Sequence, residues 1–173
     1  MRSLTAATAA FVLLLASGCG YHTLGAATHL PPDVKTLAVP VFATHAESNG
    51  TETAMTEAVV REFMTRTRFR VTTDAGPDAD AVLHGTILKQ TVAPLTYNAA
   101  TQQSSSFVIT VVASVTLTAH DGRVLYQNDA LSYREQYQST QDLTGFIQES
   151  SPAVNRLARD FAQSLVSDML ESF

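Results

Sequence analysis

Cys19 is the single cysteine of this 173-residue chain, and it closes an apolar run in the stretch LLLASGCGYH. One thiol cannot form an internal disulfide, and no cysteine–histidine pairing stands at the short spacing that zinc sites use. The histidines are His22, His29, His45, His84 and His120, and none belongs to an HExxH or any paired-ligand spacing. His84 falls inside a strand pattern and is expected to be structural. Neither a G-x-S-x-G elbow nor a phosphate-cradling glycine loop occurs, since Gly85 and Gly122 stand alone. Asp74, Asp78 and Asp80 gather carboxylates in DAGPDAD, but Pro77 and the spacing depart from a calcium loop, so a solvated turn is expected. These observations predict no catalytic residue, no metal and no cofactor. A pocket joining a serine, a histidine and a carboxylate in space would be needed to make the protein a hydrolase.

Cys19 has another use. Met1-Arg2-Ser3 is a short basic start, and Leu4 to Ala16 is a thirteen-residue apolar run. A bilayer span needs about 20 residues, so this run has the length of a secretory signal instead. Ser17-Gly18-Cys19 resembles the end of a bacterial lipobox, with Ala16 where leucine is commonest. Cleavage before Cys19 and acylation of its thiol and new amino group would make it the lipidated N-terminus. Two or more acyl chains hold a protein firmly on a membrane, where one holds it marginally. The bland alternative is a short hydrophobic anchor with an incidental cysteine. Gly20, rather than aspartate, follows Cys19; by resemblance to proteobacterial lipoproteins this implies sorting to the outer membrane. The expected organisation is a signal peptide over residues 1–18, a lipidated tether over 19–33 containing Pro31-Pro32, and a single domain over 34–173.

The net charge of −5 argues against nucleic acid as a partner, because phosphate binding needs clustered lysine and arginine. Lys35 and Lys89 are the only lysines. The cations that could meet a phosphorylated ligand are Arg66, Arg68 and Arg70, together with Lys89 and Arg134. For the three arginines the competing explanation is a solvated helix end that complements the helix dipole.

The elements that must position these residues follow from periodicity. Val34 to Ala43 alternates as a strand with Leu37, Val39 and Val41 on one face, and Pro40 implies a sheet edge or a strand end. Thr51 to Thr67 is expected to be a helix with Thr51 as N-cap, buried through Met55, Val59 and Phe63. Glu57–Arg61 and Glu62–Arg66 are i,i+4 pairs on its wet side. Phe69 to Thr73 is a short strand, and Ala81 to Val92 a longer one in which Gly85 signals a bulge or a close approach. Thr96 to Ser106 is expected to be a polar hairpin tip. Phe107 to Ala119 alternates most clearly: Phe107, Ile109, Val111, Ala113, Val115, Leu117 and Ala119 on one side, valine, threonine and serine on the other. Asp121-Gly122 turns the chain into a more polar strand, Val124 to Tyr137, suited to a sheet edge or a partner. Gln138 to Ser150 fits either a loop or a broken helix. Ser151-Pro152 starts a helix whose apolar stripe runs from Val154 to Leu170. The predicted fold is α+β: two amphipathic helices packed on one face of a mostly antiparallel four- to five-stranded sheet, with a first strand–helix–strand crossover and a threonine-rich opposite face.

The order of these pieces resembles a known family. Cys19-Gly20-Tyr21-His22, then Leu30-Pro31, the strand KTLAVPVF, an amphipathic helix, ADAVLHGTI, a tyrosine-containing hairpin and a terminal amphipathic helix together resemble the LPS-assembly lipoprotein family, LptE. That resemblance implies an outer-membrane lipoprotein that plugs the LPS-translocating β-barrel LptD, helps it fold and aids lipopolysaccharide delivery. A polar, non-catalytic domain suits a water-lined barrel. The strands LAVPVF and FRVTT also resemble lipid-anchored adaptors of the curli-secretion and Tol types, which serve as secretion-pore or regulatory components.

Overall fold

The computed structural model describes residues 34–46, 50–98, 103–138 and 150–171. The elements run β1 (Thr36–Ala38), β2 (Ala43–Thr44), α1 (Thr51–Arg66), β3 (Arg70–Thr72), β4 (Ala81–Asn98), β5 (Gln103–Ala119), β6 (Val124–Gln138) and α2 (Ser150–Glu171). They form one six-stranded sheet in the order β3-β1-β4-β5-β6, with β2 pairing β4 beside that path. The sheet is mixed. β1 lies parallel to both β3 and β4, β2 is parallel to β4, and only β4–β5–β6 is an antiparallel meander. This corrects the expected four- to five-stranded, mostly antiparallel sheet: the strand–helix–strand unit at the start adds parallel pairs.

Of the two readings of Pro40, a sheet edge or a strand end, the second holds. β1 is interior, flanked by β3 and β4, and stops at Ala38 before the proline is reached. Proline therefore marks a strand end, and β2 follows as a separate two-residue strand. The turn reverses two faces: Leu37, Val39 and Phe42 are buried, whereas Val41 is 62% exposed.

α1 begins as expected, but its N-cap is Gly50, at φ 80°, not Thr51. Thr51 is the first helical residue and is buried, with Oγ1 unpartnered. The buried stripe Met55, Val59 and Phe63 is as predicted. Of the two ion pairs, Glu62–Arg66 closes at 3.6 Å, whereas Glu57 and Arg61 stand exposed.

Both helices feed one core cluster. Met55, Val59 and Phe63 of α1 join Leu157, Phe161, Leu165 and Met169 of α2 against Leu83, Ile87, Val111, Val115 and Leu117 of the sheet. Phe161 sits between two rings, edge-on to Phe42 at 6.1 Å and to Tyr133 at 5.4 Å. Burying each such side chain contributes roughly 1.5–3 kcal/mol. Gly85 is needed for this packing, because a Cβ there would overlap the Phe42 ring.

The β4–β5 hairpin is longer than the sequence suggests. Strand pairing runs to Asn98↔Gln103, so most of the expected polar tip is ladder. Bulges interrupt β4 between Ile87 and Lys89 and between Pro94 and Thr96. At the other end of β5 the predicted turn leads into β6: Gly122 has φ 85°, and Asp121 accepts the Arg123 N–H at 3.0 Å. Gln138 to Ser150 falls mainly outside the described residues, as do Cys19 and the whole of 1–33.

Candidate functional site

The strand register divides the sheet into two faces. Along β5, Ile109, Val111, Ala113, Val115 and Leu117 lie at 2% exposure or less under the helices. The alternating residues Val108, Thr110, Val112, Ser114, Thr116 and Thr118 are half-buried on the side the helices leave open. Their directly opposed partners share that outer face: His84, Thr86, Lys89 and Thr91 on β4, and Gln127, Ser132, Arg134 and Gln136 on β6. One carboxylate joins it: Asp129, in the bulge of β6 opposite Ser114, accepts the Gln127 Nε2–H at 2.9 Å. Glu135 of β6 points to the helix side, where it pairs with Arg156 of α2. Gln136 donates Nε2 to the buried Ser106 Oγ at 2.8 Å, which steadies the distal rim.

The five basic residues singled out from sequence separate into two places. Arg66 is half-buried and engaged: Nη1 donates to Ser167 Oγ at 2.6 Å and lies 3.6 Å from Glu62, tying the end of α1 to α2. Arg68 and Arg70 are exposed, after α1 and on the edge strand β3. Lys89 and Arg134 are exposed on the outer sheet face, opposite Val112 and Thr110 of β5. Their backbones lie two strand spacings of about 4.8 Å apart across β5 and two residues, about 7 Å, apart along it, roughly 12 Å in all.

The acidic turn has a structural use that its spacing did not reveal. Asp80 Oδ2 accepts the N–H groups of Lys35 at 2.8 Å and Thr36 at 2.7 Å, which latches the start of β1 beside β4. Those two backbone donors hold its carboxyl below the ordinary aspartate value of 3.8. Asp74 and Asp78 are exposed. Among the described residues, no group of three or more His, Cys, Asp or Glu side chains could hold a metal ion. His45, His84 and His120 are exposed; His84 and His120 share the lining of a shallow pocket with Pro77, Val82 and Thr118 at the proximal end of the outer face. An open apolar groove between α1 and the β1–β2 connection, lined by Val41, Val60 and Met64, was also missed, because period-two counting had placed Val41 inside. No helix among the described residues is long and apolar enough to cross a membrane.

The family model described as "LptE: Lipopolysaccharide-assembly" matches residues 34–169, nearly all of the expected domain. The chain belongs to this family. LptE proteins are lipopolysaccharide-assembly components, and this chain shares that role. Two solved structures show the same fold. Rare lipoprotein B from Shewanella oneidensis is 12% identical, with a TM-score of 0.50 over 79% of this chain and 95% of its own. A hypothetical protein from Chlamydia trachomatis is 13% identical, with a TM-score of 0.52 over 81% of this chain and 99% of its own. No curated protein sequence matches the chain. The family match agrees with a membrane-associated lipoprotein.

Proposed function

We propose that this LptE protein is held at the periplasmic side of the outer membrane by lipid on Cys19, and that it seats inside the LPS-translocating β-barrel LptD. There it supports folding of the barrel and passage of lipopolysaccharide. Residues 1–18 are the cleaved signal and 19–33 the tether. The observation that carries this reading is the family match over 34–169. The outer sheet face supports it, because hydroxyl and amide side chains can hydrogen-bond a hydrated wall without exposing a large dry patch. Lys89 and Arg134 are the best placed of the five cations to meet lipopolysaccharide phosphates, since Arg66 already serves Ser167.

Affinity isolation of the full-length lipoprotein from detergent-solubilised outer membranes tests the reading. The barrel is expected at near-equal stoichiometry. Recovery of a peptidoglycan synthase or a self-assembled ring in its place would favour the adaptor class. Incorporation of a clickable fatty acid tests the anchor: label is expected on the native chain and absent from Cys19→Ala, and label persisting in the variant would refute lipidation at Cys19.

A further inference from the structure

Cations are unevenly placed in this acidic chain. The stretch REFMTRTRFR, from Arg61 to Arg70, holds four arginines and one glutamate, although the net charge of the chain is −5. Arg66 is spent on Ser167 and Glu62, which leaves Arg61, Arg68 and Arg70 exposed. Among the described residues none of these three is ion-paired. The same flank is apolar at its centre. The groove between α1 and the β1–β2 connection has a volume of about 600 Å³ and runs from Val60 and Met64 to Val41 and to Thr73, just past the end of β3, with Glu57 and Arg61 on its helix side. Val41 is 62% and Met64 63% exposed, the most of any large apolar side chain described. β3 is the edge strand here, so no further strand covers the flank. The N-terminal chain enters beside it: Thr36 lies against Arg70 in the register, and the Arg70 N–H donates to the Lys35 carbonyl at 2.9 Å. Lys35 is exposed and adds a cation. Glu57 and Asp74 are the exposed carboxylates beside the groove. Asp80 is occupied by the Lys35 and Thr36 N–H groups, and Asp78 sits between Pro77 and Ala79, which line the outer-face pocket instead.

We propose that this flank of α1 and β3 is a peripheral membrane surface: Val41 and Met64 enter the interfacial layer of the leaflet that holds the anchor, and Arg61, Arg68, Arg70 and Lys35 meet the headgroup phosphates of its anionic phospholipids. Apolar area and basic charge on one surface are the combination that interfacial binding uses. Arginine and lysine suit it because their stems lie along apolar surface while their charges reach the headgroups. Each cation brought near an anionic leaflet strengthens binding severalfold. The tether selects the occupant. Residues 19–33 reach at most about 50 Å when fully extended, and they join the domain at Val34, beside Arg70. The leaflet is therefore always present at high effective concentration next to this flank. The proposal rests on the anchor reading above and is independent of the barrel: it states how the anchored chain lies on the leaflet when no barrel holds it.

The chain contains no tryptophan, so a single introduced one reports its own surroundings. The test reconstitutes the full-length lipoprotein carrying Met64→Trp, or Val124→Trp at the exposed start of the opposite edge strand β6, into vesicles with brominated acyl chains. The vesicles are phosphatidylethanolamine with phosphatidylglycerol, phosphatidylcholine alone, and phosphatidylcholine with lipopolysaccharide. Emission from Met64→Trp is expected to shift to the blue and be quenched in the phosphatidylglycerol vesicles, and emission from Val124→Trp to change little. Adding Arg68→Ala/Arg70→Ala is expected to lower the docked-to-undocked ratio about tenfold or more, and high salt is expected to release the flank while the chain stays anchored. Thermal unfolding identifies any variant that fails to fold; Val41→Trp then replaces Met64→Trp, and the salt series replaces the arginine pair. Absence of quenching at Met64 in phosphatidylglycerol vesicles, quenching that requires lipopolysaccharide, equal quenching at Val124, or quenching indifferent to both arginines and salt would overturn the surface. Fatty-acid label on the native chain with Met64 unquenched would overturn this surface alone, whereas absence of label would overturn the anchor reading with it.

Discussion

β5 presents two chemistries from one run of residues. Val111 is 1% exposed beneath the helices, while Val112, its neighbour, is half-buried on the open side. One face is dry because α1 and α2 cover it. The other is neutral without being covered, which the fold does not require. Packing under the helices thus accounts for one periodicity of the strand and leaves the other to the open face.

This comparison can be broken by substitution. The largest effect is expected at Phe161, which is fully buried between Phe42 and Tyr133. Phe161→Ala should cost roughly 3–5 kcal/mol by chemical denaturation. Val111→Thr and Val112→Thr make the same change on opposite faces. The first buries a hydroxyl and should cost about 1–3 kcal/mol, whereas the second should stay within about 0.5 kcal/mol. Equal costs would erase the distinction between the faces. Gly85→Ala forces a methyl group against the Phe42 ring and should cost about 1–3 kcal/mol, with Phe42→Leu in the same chain recovering part of the loss. Arg66→Ala removes the Ser167 bond between the helices. That should cost about 0.5–1.5 kcal/mol without altering lipopolysaccharide binding; a binding loss at unchanged stability would return Arg66 to the ligand-contact set.

The smallest effect depends on pH. The Asp80 carboxyl titrates below 3.8 in the folded chain because it accepts the Lys35 and Thr36 N–H groups. Its contribution is therefore present above the unfolded value and is lost as pH falls through the lower folded value. Asp80→Ala should lower Tm at neutral pH and flatten the acid limb of the Tm–pH curve. An acid limb identical to the native one would show that the latch does not contribute.

Much of the fold was legible in local signals. The β5 alternation, the Asp121-Gly122 turn, the Ser151-Pro152 helix start and the close approach at Gly85 each depend on a few neighbouring residues. What could not be read depended on distant partners. The interior position of β1 is set by pairing with β3 and β4, so Pro40, lying just past the strand, left a sheet edge and a strand end equally open. Residues 103–106 are polar and hold no apolar alternation in sequence, yet they pair with 96–98 because each strand supplies the other's ladder. Arg66 looked like a free cation in sequence because Ser167, its partner, lies 101 residues away. The outer face was expected to be threonine-rich, and it is. The placing of Lys89 and Arg134 across β5, and of Asp129 beside Gln127, appears only once the register joins β4, β5 and β6.

The most direct test places a photo-crosslinking amino acid at Thr116 on the outer face and, separately, at Arg159 on α2, in cells producing the full-length lipoprotein. The account predicts an adduct of barrel-plus-lipoprotein mass from Thr116, stronger than any from Arg159. No barrel adduct from Thr116, with or without one from Arg159, would contradict it.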